Sequence, residues 1–168
     1  MVLKLVWKNM RENWPEAATP VSRASTAALR LSALLERNAA KALAPLELSF
    51  TEFELLAALR ASPAPHSLLP TELCASLLIS SGGLTKVLKN LEARGLIARL
   101  SSKADRRRRP IALTSSGAAL CERAMTQVQE GDQAAFAAAG VDEAALDALS
   151  QKLATAVYGF ETPPAPED

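Results

Sequence analysis

Long apolar runs are missing from this chain. No window approaches the roughly 18 uninterrupted apolar residues that a membrane-spanning helix needs. The opening MVLKLVWKNMREN also lacks the apolar stretch and cleavage site of a signal peptide. The expectation is a soluble, cytoplasmic protein with no membrane partner. Cysteine is scarce, with only Cys74 and Cys121, and histidine scarcer, with His66 alone. These numbers exclude a disulfide framework, offer no metal-ligand spacing and leave no Cys-His pair for nucleophilic catalysis. The short SSGG at Ser80 to Gly83 is a helix start, not a phosphate-binding loop. No enzyme, no metal site and no cofactor is therefore expected. Aromatic residues are 4% of the 168 and hydrophobic residues 49%. With alanine and leucine dominant, this composition favours helices packed on helices around one core.

Helical periodicity fills most of the chain. After a start holding Trp7 and Trp14 and breaks at Pro15 and Pro20, the segment from Val21 to Leu43 reads as one long helix, stopped before Pro45. Ser49 or Thr51 can cap a second, TEFELLAALRAS, which Pro63 and Pro65 end. The segment TELCASLL forms a short third helix, and SGGLTKVLKNLEARG a fourth. In that fourth helix Leu84, Val87, Leu88 and Leu91 form a buried stripe, and Gly95 supplies the stop. Two short β-prone runs, 96–100 and 110–113, flank SSKADRRRR as a hairpin, with the second at a sheet edge because Pro110 has no N–H. A helix then runs from Thr114 to about Ala139, weakened at Gly131. A last one follows Asp142 and carries Leu146, Leu149, Leu153, Val157 and Phe160 at helical spacing.

Charge is unevenly placed. The formal net charge is +1, yet from Lys86 to Arg109 nine basic residues face two acidic ones, a local net of +7 against −6 for the remainder. A charge run alone is usually a solvated loop. Here it follows a helix whose outer face, Ser81, Gly82, Thr85, Lys86 and Lys89, is small and basic. Two short helices, the second of this kind, and then a hairpin with a basic tip make a winged helix-turn-helix. Gly82 and Gly83 bring the helix N-terminus close to a phosphate, Thr85, Lys86 and Lys89 face the major groove, and wing arginines reach the minor groove. The expected DNA-contacting set is Thr71, Ser80, Ser81, Gly82, Gly83, Thr85, Lys86, Lys89, Asn90, Lys103, Asp105, Arg106, Arg107, Arg108 and Arg109.

The runs LSFTEFELLAALR, LPTELCASLLISSGGLTKVLKNLEARGLIARL and DRRRRPIALTSSG resemble the MarR family of bacterial transcription regulators. The family's Asp-Arg wing, Leu-Thr, short spacer and Gly are matched by Asp105, Arg106 or Arg107, Leu113, Thr114 and Gly117. The resemblance implies a mainly α fold with a small β-hairpin wing: an N-terminal arm and dimerisation helix at 1–44, a winged lobe at 45–113, C-terminal dimerisation helices at 114–160, and a disordered tail at 161–168. It also implies a homodimer on a palindromic operator in double-stranded DNA, repressing until a small ligand releases it. Asp105 would orient a wing arginine, with Arg107 or Arg108 at the tip. Independently, the apolar faces of the terminal helices need a partner surface, which a dimer supplies. Two-fold symmetry then spaces half-sites about one helical turn, roughly 34 to 36 Å, apart.

Within the family the N-terminal segment with Trp14 looks like the urate-responsive, PecS-like branch, whose pocket uses a tryptophan, an Asp and arginines. At the Asp position stands Glu54, and Val87 and Asn90 stand where an Arg is expected, which argues against urate itself. A small aromatic acid suits a Trp face and cations. The candidate ligand set is Trp14, Arg23, Arg30, Phe53, Glu54 and His66. Two alternatives stay open: that Trp7 and Trp14 only pack N-terminal arms, and that Glu54 and His66 are a surface residue and a loop residue without a ligand role. Oxidant sensing through cysteine is a rival regulatory mode, although both thiols are in apolar company where they are usually inert. An architectural or protein-binding winged helix without operator preference is the other rival.

Overall fold

The structure is a computed structural model that describes residues 2–100 and 109–162. Its contacts divide the chain into two compact units, Met1–Gln129 and Glu130–Asp168. The elements are α1 (Val2–Asn13), α2 (Pro20–Leu43), α3 (Phe50–Ala61), β1 (Ser67–Leu68), α4 (Pro70–Leu77), α5 (Ser81–Ala93), β2 (Ile97–Arg99), β3 (Ile111–Leu113), α6 (Ser115–Ala138) and α7 (Glu143–Glu161). The mainly helical architecture with a small antiparallel sheet matches the sequence reading.

Local chemistry explains most boundaries. Thr19 caps α2 by accepting the Ser22 N–H at 3.2 Å, and Pro20 occupies its first turn, where a missing N–H costs nothing. Ser49 caps α3 in a reciprocal box: its hydroxyl accepts the Glu52 N–H while the Glu52 carboxylate accepts the Ser49 N–H. At the end of α5, Gly95 adopts φ +68, the left-handed turn that stops a helix most cheaply with glycine. α1 was not foreseen as a separate helix, although Leu3, Trp7 and Met10 are half-buried at i, i+4 and i+7. α6 runs through Gly131 to Ala138 without the expected weakening.

The core of the first unit is rich in leucine. Leu43, Leu55, Leu56, Leu59, Leu73, Leu91 and Ile111 are fully buried, joined by Leu84, Leu88, Leu96 and Ile97. Each such side chain contributes about 1.5–3 kcal/mol of burial. Of the four-residue stripe expected on α5, Val87 is only half-buried.

The sheet corrects one expectation. Its strand order is β1-β3-β2, so β3 is central and not at an edge. Ile97 pairs with Leu113 and Arg99 with Ile111, while Ser67 and Leu68 of β1 pair with Ala112 and Ile111 on the other side. Pro110 is compatible with this because it precedes the strand and contributes only its carbonyl, which accepts the Leu100 N–H at 2.9 Å.

The turn from β3 into α6 is closely packed. Thr114 Oγ1 lies 2.8 Å from the Gly95 carbonyl and accepts the Gly117 N–H at 3.0 Å. A Cβ on Gly117 would stand 2.0 Å from the Leu96 carbonyl oxygen, so only glycine fits there.

The second unit holds the end of α6 and α7. Asp142 caps α7 by accepting the Ala145 N–H at 2.8 Å. No residue of α7 is buried. Glu161 is its last helical residue, one position into the segment expected as tail; residues 163–168 lie outside the described residues.

Candidate nucleic-acid interface

The helix expected to face DNA is α5, and its first turn is exposed. Ser80 caps it, with Oγ accepting the Gly83 N–H at 3.2 Å. Helix geometry leaves the N–H groups of the first turn directed out of the helix end. A Cβ on Gly82 would come no nearer than 4.0 Å to another atom, and one on Gly83 no nearer than 3.5 Å. Nothing inside the molecule therefore requires glycine at either position.

The side chains divide cleanly between two faces. Leu84, Leu88 and Leu91 are buried, whereas Ser81, Thr85, Lys86 and Lys89 are exposed together on the other side. Thr85 Oγ1 donates to the Ser81 carbonyl at 2.8 Å. Thr71, in the first turn of α4, is exposed. Arg109 is exposed just before Pro110; Lys103, Asp105, Arg106, Arg107 and Arg108 lie outside the described residues.

Asn90, also in the expected DNA-contacting set, has a partner within the chain. Although on the exposed side of α5, its side-chain amide donates to Glu52 Oε1 on α3. Glu52 was missed altogether. Burial alone would raise its carboxyl, but hydrogen bonds from the Ser49 backbone, Asn90 and the Ser49 hydroxyl, with the charge of Arg94, outweigh burial and leave it below the ordinary carboxylate value. The Ser-x-x-Glu spacing of a capping box was the available signal. A groove of about 620 Å³ runs beside this cluster, lined by Ser49, Thr51, Lys86, Val87, Lys89 and Asn90 among others.

Among the described basic residues of the charged stretch, Arg94 and Arg99 make contacts within the chain. Arg94 donates Nη1 to the Glu47 carbonyl at 2.7 Å and Nη2 to the Leu46 carbonyl at 3.2 Å. Arg99 on β2 pairs with Glu92 on α5 at 2.8 Å, linking the strand to the helix.

The six candidate ligand residues occupy different surroundings. Trp14 is 63% exposed, and Phe53 is in the hydrophobic core. Arg23 is half-buried on α2; Arg30 lines a crevice between α1 and α2 with Leu3 and Leu31. Burial, and then the charge of Glu36, push the Glu54 carboxyl up. His66 adopts φ +56, its Nδ1 is 2.7 Å from the Ser62 carbonyl, and its own carbonyl accepts the Leu113 N–H at 3.0 Å. That is a turn-stabilising role. Cys121 is buried and its thiol is pushed up by burial, against the pull of Arg60; Cys74 is half-buried in a groove with Thr71, Thr85 and Arg99. Among the described residues no helix is long and apolar enough to cross a membrane.

Comparison with known proteins follows the same outline. Residues 46–108 match the family model described as the MarR family. The chain is 35% identical over 104 residues to the HTH-type transcriptional regulator PecS of Dickeya dadantii, a match covering 62% of this chain and 63% of that protein. It thus spans less than two thirds of PecS. It is also 35% identical over 103 residues to the HTH-type transcriptional repressor Rv2887 of Mycobacterium tuberculosis, covering 61% of this chain and 72% of that protein. Among solved structures, Rv2887 in complex with p-aminosalicylic acid superposes with a TM-score of 0.63 at 30% identity, covering 78% of this chain and 95% of that one. The apo form of Escherichia coli MarR gives 0.67 at 25% identity, covering 79% and 95%.

Proposed function

Because the chain belongs to the MarR family, we propose that it is a DNA-binding transcriptional regulator, a homodimeric repressor that holds a palindromic operator until a small aromatic carboxylate releases it. The observation that carries the reading is the capped α5, which exposes Thr85, Lys86 and Lys89 on one face while burying its leucines, directly before a winged sheet. The names of PecS and Rv2887, a regulator and a repressor of the helix-turn-helix type, support it. So does the apolar stripe of α7, where Leu153, Val157 and Phe160 are exposed and a partner surface would cover them. For the effector class the support is the p-aminosalicylic acid bound to Rv2887. As the residues for DNA contact we propose Thr71, Ser80 to Gly83, Thr85, Lys86, Lys89 and the wing from Lys103 to Arg109. Trp14, Arg23, Arg30 and Glu54 remain proposals for the effector.

The test is retention of sheared genomic DNA by the purified protein at about physiological salt, followed by sequencing of what is kept. Enrichment of one palindrome in a few promoters is the expected result, and a flat profile overturns the operator reading. With the retained fragment, replacing Arg106 to Arg109 by alanine is expected to flatten the dependence of log affinity on log salt by about 0.9 for each phosphate that is no longer neutralised. An unchanged slope returns the wing to a solvated loop.

A further inference from the structure

The recognition helix is held by more than its leucines. Apolar burial is non-directional, so a stripe of three leucines resists removal of α5 from the core far more than it resists small rotations. Directional contacts fix the remaining freedom, and they gather at one place. Among the described residues Glu52 is the buried charged side chain, 6% exposed. Its Oε2 accepts the Ser49 N–H and the Ser49 hydroxyl, both at 2.8 Å, and its Oε1 accepts the amide of Asn90. One turn further along α5, Arg94 grips the Leu46 and Glu47 carbonyls. Asn90 and Arg94 are four residues apart and so share a face. Together they clamp α5 to the corner between α2 and α3.

We propose that Glu52 is a positioning residue for the recognition helix: through Asn90, with Arg94 as second anchor, it fixes the angle at which α5 presents Thr85, Lys86 and Lys89, and so sets operator affinity without touching DNA. The proposal rests on the DNA-binding reading above. A satisfied buried network specifies one arrangement, whereas a buried carboxylate deprived of a donor is costly. The cluster therefore has one favoured geometry, and α5 inherits it. The same clamp ties the helix to the end of α2, so a displacement of α2 has a rigid route to the DNA-facing side chains.

The experiment uses the full-length chain with Glu52→Ala, Asn90→Ala and the double variant. Operator affinity is measured at fixed salt, and amide hydrogen exchange is measured without DNA. Each single variant is expected to weaken operator binding roughly tenfold, with the double variant no weaker than either single one. Binding to random DNA should stay unchanged, because the phosphate-contacting cations remain. Exchange should accelerate in residues 85–93 and stay unchanged in β3. Additive losses would show that Asn90 reads DNA itself and would overturn the proposal. So would a Glu52→Ala protein with unaltered operator affinity or unaltered α5 exchange. If the wild-type chain retains no operator, the DNA-binding reading fails, and the exchange measurement still decides the positioning. Should Glu52→Ala not fold, Asn90→Ala leaves the Ser49–Glu52 cap intact and supplies both readouts.

Discussion

α5 and α7 carry stripes of similar composition that end in opposite states. In α5, Leu84, Leu88 and Leu91 are buried against the leucine core of the first unit. In α7, Leu153 is 39%, Val157 52% and Phe160 90% exposed, and no residue is buried. Periodicity alone does not distinguish the two, because both sequences repeat apolar residues at i, i+3, i+4 and i+7. What differs is where the complementary surface comes from. The first unit supplies its own, with α2 and α6 closing the core of the winged lobe through Leu43, Leu120 and Val128, while the apolar side chains of α7 are exposed. A cover for that face belongs to the dimer proposed above.

Gly117→Ala breaks the comparison on the lobe side and should have the largest effect. The added Cβ would overlap the Leu96 carbonyl at 2.0 Å, backbone that cannot swing aside as a side chain would, and Leu113 closes the other side at 3.0 Å. The expected cost is about 3 kcal/mol, at or above the upper end of ordinary overpacking. Thermal melts should show this loss undiminished across a hundredfold range of protein concentration. A variant that melts like the wild type would mean that the junction of β2 and α6 is loose, and the contrast with α7 would lapse.

Charge on the α7 stripe breaks it on the other side. Leu153→Asp with Val157→Asp places two carboxylates on the proposed dimer surface in place of apolar side chains and should raise the dimer dissociation constant about a hundredfold. Sedimentation equilibrium would read that shift. Because neither residue is buried within the chain, the melting temperature extrapolated to low concentration should be unchanged. A wild type that is monomeric at micromolar concentration would assign the stripe to a different partner.

The same contrast explains what could be read in the sequence. Features encoded within a few residues were legible: Ser49 as one of two candidate caps, the helix start at SSGG, the start of α7 after Asp142, the stop at Gly95, the leucines of the α5 stripe and the extents of α2 to α7. The tight Leu113-Thr114 to Gly117 turn was noticed as a motif, and its reason emerged only with the 2.0 Å approach to Leu96. Features that depend on distant partners were not legible. The sequence does not reveal that Asn90 meets Glu52, 38 positions earlier, or that Arg94, besides its charge, bonds two carbonyls 47 and 48 positions away. β3 became central because a two-residue strand at Ser67–Leu68, too short to register as a pattern, pairs with it. The basic tip, the strongest signal in the sequence, belongs to residues 101–108, outside those described.

Glu52 and Glu54 sharpen the comparison at its finest scale, because two carboxylates on one helix are driven in opposite directions. For Glu52 the folded value is lowered, so its stabilisation is present above the unfolded carboxyl range and is lost as pH falls through the folded value. For Glu54, burial and then Glu36 raise the folded value, so its contribution is present at low pH and is lost as pH rises through that value. At neutral pH an ionised Glu54 therefore opposes folding, and Glu54→Gln should stabilise the chain by about 0.5 kcal/mol or less, the scale of a partly solvated charge pair. The gain should vanish near pH 4, where the wild-type carboxyl carries its proton. Melts at the two pH values check this directly. A gain of equal size at both would trace the effect to packing, and a loss at neutral pH would mean that the Glu54 carboxylate has a favourable partner, which would strengthen its place among the effector candidates.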